Sequence, residues 1–237
     1  MIRIVVLMLF CTFYSVIFAA DTIIGNIAAV EGIVKVKHKN SIKKTKVKSG
    51  SIILAGDLIT TRQGASAKLD LKDNSLVVLD EKSTIVFHLA SDFEQKNGKI
   101  YYKISSKNAR DALSIKTPFA IIGIKGTEFI ISAYEKDASV MLREGVIGVE
   151  SIKAEFELYR KSIQKRFDDF KSEQESAYRN YKQTQESQFE FIKQTKKFEL
   201  QEKKSISFRG NRVDEEGWSK RNDVEFAHFK ALLETMK

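Results

Sequence analysis

Cysteine and proline each occur once in this 237-residue chain, as Cys11 and Pro118, and histidine three times. One cysteine excludes an internal disulfide and any zinc site built from several thiolates. His38, His88 and His228 lie too far apart for the spacings of a zinc ligand set. The chain has no Gly-x-Ser-x-Gly, no phosphate-cradling glycine loop and no His-Glu-x-x-His. These absences argue against an enzyme, and no metal or other cofactor is expected. The one catalytic alternative is a pair of carboxylates brought together from distant positions, as an envelope polysaccharide-acting enzyme would need.

The N-terminus explains where the cysteine sits. Met1-Ile2-Arg3 is a short basic start, and Ile4 to Ala19 is apolar apart from Thr12, Tyr14 and Ser15. Small residues Ala19 and Ala20 precede the polar Asp21 and Thr22. This is the layout of a secretory signal peptide over residues 1–20, with an uncleaved inner-membrane anchor as the alternative. Cleavage there leaves no cysteine, so the exported, periplasmic chain must rest on its own core. The net charge of +9 suits an anionic surface or an acidic protein. In an exported chain it does not imply nucleic acid. Lysine recurs through Lys35–Lys48, where Lys35 and Lys37 alternate with Val34 and Val36 as the solvent face of a strand would.

Residues 21–150 read as an all-β domain. Short Ile/Val/Leu runs alternate with Gly, Asn and Asp punctuation, which predicts a β-sandwich, barrel or β-solenoid. Ala67, Leu69 and Leu71 alternate with Lys68 and Asp70 and share one face.

After Glu150 the period changes. Residues 155–198 repeat every eleven positions as EFELYRKSIQK, RFDDFKSEQES, AYRNYKQTQES and QFEFIKQTKKF. Phe156, Phe167, Tyr178 and Phe189 recur at position two; Tyr159, Phe170, Tyr181 and Ile192 recur at position five. No glycine or proline lies between Val149 and Phe208. Eleven residues make three helical turns, so the pattern predicts a long helix over 151–197 with one narrow aromatic seam. Such a seam needs a partner, and a homo-oligomer through these residues is expected. Membrane-surface binding is the rival. A straight helix and a helical hairpin both remain open. Residues 198–213 then read as returning strands, and 214–237 as a C-terminal helix. Asn222 would cap that helix, with Glu225 completing a capping box, and Phe226, Phe229, Leu233 and Met236 would form its apolar stripe.

One segment is more specific: Thr117-Pro118-Phe119-Ala120-Ile121-Ile122-Gly123-Ile124-Lys125-Gly126-Thr127-Glu128-Phe129. It resembles the hallmark of the FecR domain, a Thr-Pro and a small residue followed by Arg-Gly-Thr before an aromatic. Lys125 stands where that family usually has arginine. Val30–Val34, the Gly56-Asp57 turn in Ala55–Thr61, Ser66–Ser75 and the Glu144-Gly145 hairpin in Met141–Val149 resemble the family's other elements, in its order. The resemblance implies a FecR-like β domain used for binding and signalling rather than catalysis. It also implies that Gly56, Asp57, Thr117, Pro118, Gly126, Thr127, Phe129, Glu144 and Gly145 are motif residues with structural roles. The family's founding members regulate iron uptake across the envelope, with a cytoplasmic anti-sigma segment, a transmembrane helix and a periplasmic domain. Here the signal sequence opens the chain, so the anti-sigma segment is not expected. The resulting expectation is an exported binding or scaffold module with a protein partner in the envelope. The alternative is a periplasmic signalling component that couples an envelope signal to a membrane partner.

Overall fold

A computed structural model describes residues 22–105, 113–160 and 191–236. The expected signal peptide lies outside the described residues. A long hairpin organises the rest: β12 (Ile121–Tyr134) and β13 (Asp137–Glu150), fourteen residues each. Its two halves enter two arms of one curled sheet.

The half nearer the hairpin tip carries the first arm. Outward from β12 follow β10 (Lys99–Lys103), β7 (Leu76–Leu79), β6 (Ser66–Leu71), β1 (Ile23–Glu31) and β4 (Ile52–Leu54). Outward from β13 follow β17 (Lys204–Arg209), β18 (Arg212–Gly217), β14 (Phe156–Arg160) and β15 (Phe191–Thr195). The other half carries the second arm: β11 (Leu113–Lys116), β9 (Asp92–Asn97), β8 (Thr84–Leu89), β5 (Asp57–Thr61), β2 (Val34–Lys37) and β3 (Thr45–Lys46). On its β13 side lies β16 (Lys197–Gln201).

The arms face each other across one core. Val77, Leu79, Ile100, Tyr102, Phe129 and Ile131 of the first meet Val36, Ile59, Ile85, Phe87, Phe93, Ile115 and Ile122 of the second, all buried. Strand period two sends the intervening Val78, Tyr101, Ile130 and Met141 to the opposite face. There helix α1 (Lys220–Thr235) covers them with Phe226 and Phe229, followed by Met236. These strands are therefore apolar on both faces, which is why they read as unbroken hydrophobic runs.

The mainly β expectation matches this architecture, and so does a C-terminal helix with its predicted stripe. Its cap differs. Ser219 precedes the first turn, and Asn222 Oδ1 accepts the Ser219 N–H at 2.8 Å and its hydroxyl at 2.7 Å. Glu225 is drawn instead to Lys99 Nζ at 2.7 Å.

The predicted 151–197 helix is corrected at both ends. Residues 156–160 and 191–195 are strands that pair antiparallel, Phe156 with Thr195 and Arg160 with Phe191. A straight continuous helix would hold the paired Phe156 and Thr195 roughly 60 Å apart. Phe156 and Tyr159 suit a helical seam, but Phe156 and Leu158 also suit a strand face, and those two are buried. Leu158 belongs to no repeated position, and it tips the balance. Ile192 lies in β15. Phe167, Phe170, Tyr178, Tyr181 and Phe189 fall outside the described residues.

Candidate binding cleft

The motif residues shape the path of the backbone. At the middle of the long hairpin the register shifts on either side of Glu128, and Gly126 and Gly145 have φ of 58° and 91°. These positions let the hairpin leave one arm and enter the other. A Cβ on Gly145 would stand 2.7 Å from the Gly126 carbonyl oxygen and from Thr127 Cγ2. The Thr127 carbonyl accepts the Ile104 N–H at 2.9 Å, and the buried Thr127 hydroxyl has no partner among the described residues. Phe129 is buried and stacks on Tyr102, centroids 5.0 Å apart. Glu144 is exposed and lies opposite Glu128.

The Gly56-Asp57 turn is built similarly. Gly56 has φ 88°, and Asp57, 1% exposed, accepts the Leu54 N–H at 2.9 Å. Its other oxygen faces His38 Nδ1 at 2.7 Å. Thr117 closes the turn between β11 and β12. Its Oγ1 accepts the Ala120 N–H at 2.9 Å and donates to the Ala120 carbonyl at 2.8 Å. The turn leaves Pro118 exposed and Phe119 half-buried at one end of the molecule.

A cleft of about 440 Å³ opens at that end, within the usual size of small-ligand pockets. Pro118 and Phe119 form one wall, and the β12–β13 tip, with Ala133, Tyr134, Glu135 and Ala138, another. Ile152, Lys153 and Phe156 come from the segment after β13, Phe208 and Asn211 from around the β17–β18 turn. Lys96 and Asn97 complete the rim. The floor is aromatic: Phe119 and Phe208 lie 4.4 Å apart, and Phe156 and Phe208 5.7 Å apart. Tyr134 adds a phenol whose pKa is raised, chiefly by burial and then by Asp80, Glu81, Asp137 and Glu225. The phenol is thus a neutral donor at physiological pH.

Of the expected motif residues, only Pro118 lines this cleft, with Thr117 holding the turn behind it. The others lie at the hairpin corner, the core and the Gly56 turn. The sequence reading missed Phe208 as a site residue and placed Phe156 in a helical seam. The aromatic following Thr-Pro was a local hint, but no periodicity links it to side chains at 156 and 208. The three histidines stay apart, facing Asp57, Glu94 and Asp80 singly. No group of three metal-ligating side chains occurs among the described residues.

Comparison with known proteins supports the reading of the motif. Residues 57–148 match the FecR protein family. No curated protein matches the chain. Two crystal structures of a putative anti-sigma factor from Parabacteroides distasonis ATCC 8503 are similar at 11% identity. One gives a TM-score of 0.48 over 72% of this chain and 64% of the other; the second gives 0.46 over 69% and 61%. The chain thus spans less than two thirds of the length of either structure. The segment that matches the FecR protein family contains the Thr117–Phe119 turn and the whole Gly126–Gly145 corner.

Proposed function

We propose that this protein is an exported signalling component of the cell envelope, coupling an envelope signal to a membrane partner through the end cleft. The observation that carries this reading is the cleft's joint construction. The FecR domain supplies Pro118, Phe119 and the hairpin tip, and the strands that follow supply Phe156 and Phe208. A peptide segment lodged between them would touch both parts at once, and the contact of Phe119 with Phe208 would transmit its presence. Apolar floor and lysine rim suit a segment with an apolar anchor and acidic flanks. FecR proteins are envelope-associated, and among the described residues no helix is long and apolar enough to cross a membrane.

The scaffold reading has less support. Its oligomer was to form through residues 151–197, whose described ends pair with each other as strands. The polysaccharide-acting alternative needs two facing carboxylates, and among the described residues Glu135 is the only acid lining the cleft.

A photo-activated cross-linking residue at Asn211, on the cleft rim, tests the proposal in intact cells. One discrete adduct with a membrane-spanning protein is expected, with none from the same residue at Val224, on α1. Equal adducts from both positions, or none from Asn211, would reject it.

A further inference from the structure

The β2–β3 hairpin lies at the other end of the second arm. Along β9, Phe93 sits opposite Phe87, itself opposite Asp57, the residue that holds His38 where the 38–44 loop leaves β2. Asn97, at the far end of β9, is on the cleft rim. The hairpin therefore points away from the cleft.

Three features of the hairpin stand together. It carries Lys35, Lys37, Lys39, Lys43, Lys44, Lys46 and Lys48 with no acid in that stretch. None of the seven has an ion-pair partner among the described residues, whereas Lys99, Arg143, Arg160 and Lys204 each do. At the apex, Ile42 is 99% exposed. The apex is also fixed: the Ser41 N–H donates to the His38 carbonyl at 3.0 Å. Ser41 Oγ bonds both the N–H and the carbonyl of Lys43 at 3.1 Å.

Lysines alone are explained by protection of the β3 edge. A fully exposed isoleucine held out at the apex is not. A protruding aliphatic tip ringed by unpaired cations matches the boundary between anionic headgroups and acyl chains. A rigid acidic protein would need a pocket for so convex a tip.

We propose that this hairpin docks on an anionic phospholipid bilayer, with Ile42 entering the headgroup–acyl boundary and the lysines facing the phosphates. The end cleft then faces away from the lipid. The proposal is independent of the cleft's function.

The test is sedimentation of the full chain with phosphatidylcholine vesicles, with and without about one third phosphatidylglycerol. Binding that needs phosphatidylglycerol and weakens with salt is expected. Lys43→Gln with Lys44→Gln should weaken it about twenty-five-fold, at roughly fivefold per lysine. Ile42→Ser should weaken it about tenfold and leave the salt dependence unchanged. All three positions are solvent-exposed, and an unchanged melting temperature confirms that each variant is folded. Absence of phosphatidylglycerol-dependent binding would overturn the proposal. So would binding that Ile42→Ser leaves intact with equal capture on polyglutamate beads, which would indicate an acidic polypeptide instead.

Discussion

The carbonyl oxygen of Gly126 stands 2.7 Å from where a side chain on Gly145 would begin. Two motif glycines, one on each strand of the long hairpin, thus fit against each other where the hairpin turns from one arm into the other. The Glu-Gly and Lys-Gly-Thr signatures are two sides of one corner.

Gly145→Ala should therefore destabilise the protein by about 1–3 kcal/mol from backbone strain, with the steric conflict added. Gly210 is the control: its φ is 63°, yet nothing lies within 4 Å of its missing Cβ. Gly210→Ala should cost only about 1 kcal/mol. Urea denaturation of both variants measures the difference, and equal losses would mean the close approach at Gly145 is unimportant.

The Gly56-Asp57 turn predicts a different pair. Asp57→Ala leaves the Leu54 N–H without its acceptor in a half-buried turn, at a cost of about 1–2 kcal/mol. Asp57→Asn keeps an oxygen there and should recover much of that loss. An asparagine variant as unstable as alanine would show that charge, rather than the hydrogen bond, holds the turn.

Helix α1 should be held mainly by its aromatic stripe. Phe229 is fully buried and stacks on Tyr101 at 5.7 Å. Phe229→Ala should cost about 3–5 kcal/mol, and Glu225→Gln, which weakens the tie to Lys99, about 1 kcal/mol. Trp218, the single tryptophan, packs 5.4 Å from Phe226 and reports on this face by its fluorescence. A Glu225→Gln loss matching that of Phe229→Ala would make the helix an electrostatic attachment.

The same face sets an alkaline limit. Burial, reinforced by Glu128, pushes the Tyr101 phenol well above its usual range near about 10. Above about pH 10 the unfolded chain loses this proton while the folded one keeps it, so stability falls as pH rises. Tyr101→Phe should make that fall shallower in denaturation series at about pH 9 to 11. An unchanged slope would place the alkaline sensitivity elsewhere.

Most of the β architecture was legible in the sequence, because Ile/Val/Leu alternation and Gly/Asn turns are local signals. Strand β9 was not: Asp92-Phe93-Glu94-Gln95-Lys96-Asn97 carries one large apolar residue. Its inward Gln95 is buried, donating to the Gly98 and Ile131 carbonyls at 2.9 and 3.1 Å and accepting the Tyr102 hydroxyl at 2.9 Å. A satisfied polar core residue looks like a loop residue until its partners are known. At its two ends the eleven-residue repeat misled for the opposite reason. Its period is strong, but the strand pairing of 156–160 with 191–195 depends on β18 lying beside β14, a contact remote in sequence. The cleft escaped notice likewise, since Phe119, Phe156 and Phe208 meet only through the fold. The Thr117-Pro118 turn at its edge was visible from the start.

The most direct test of the central claim fills the cleft. Ala138 is a half-buried part of its wall, and Ala138→Trp would occupy space that a bound segment needs. In cells carrying the cross-linking residue at Asn211, the account predicts that Ala138→Trp abolishes the adduct with the membrane-spanning partner while the protein's melting temperature and abundance hold. An adduct that persists undiminished with the cleft filled would contradict it.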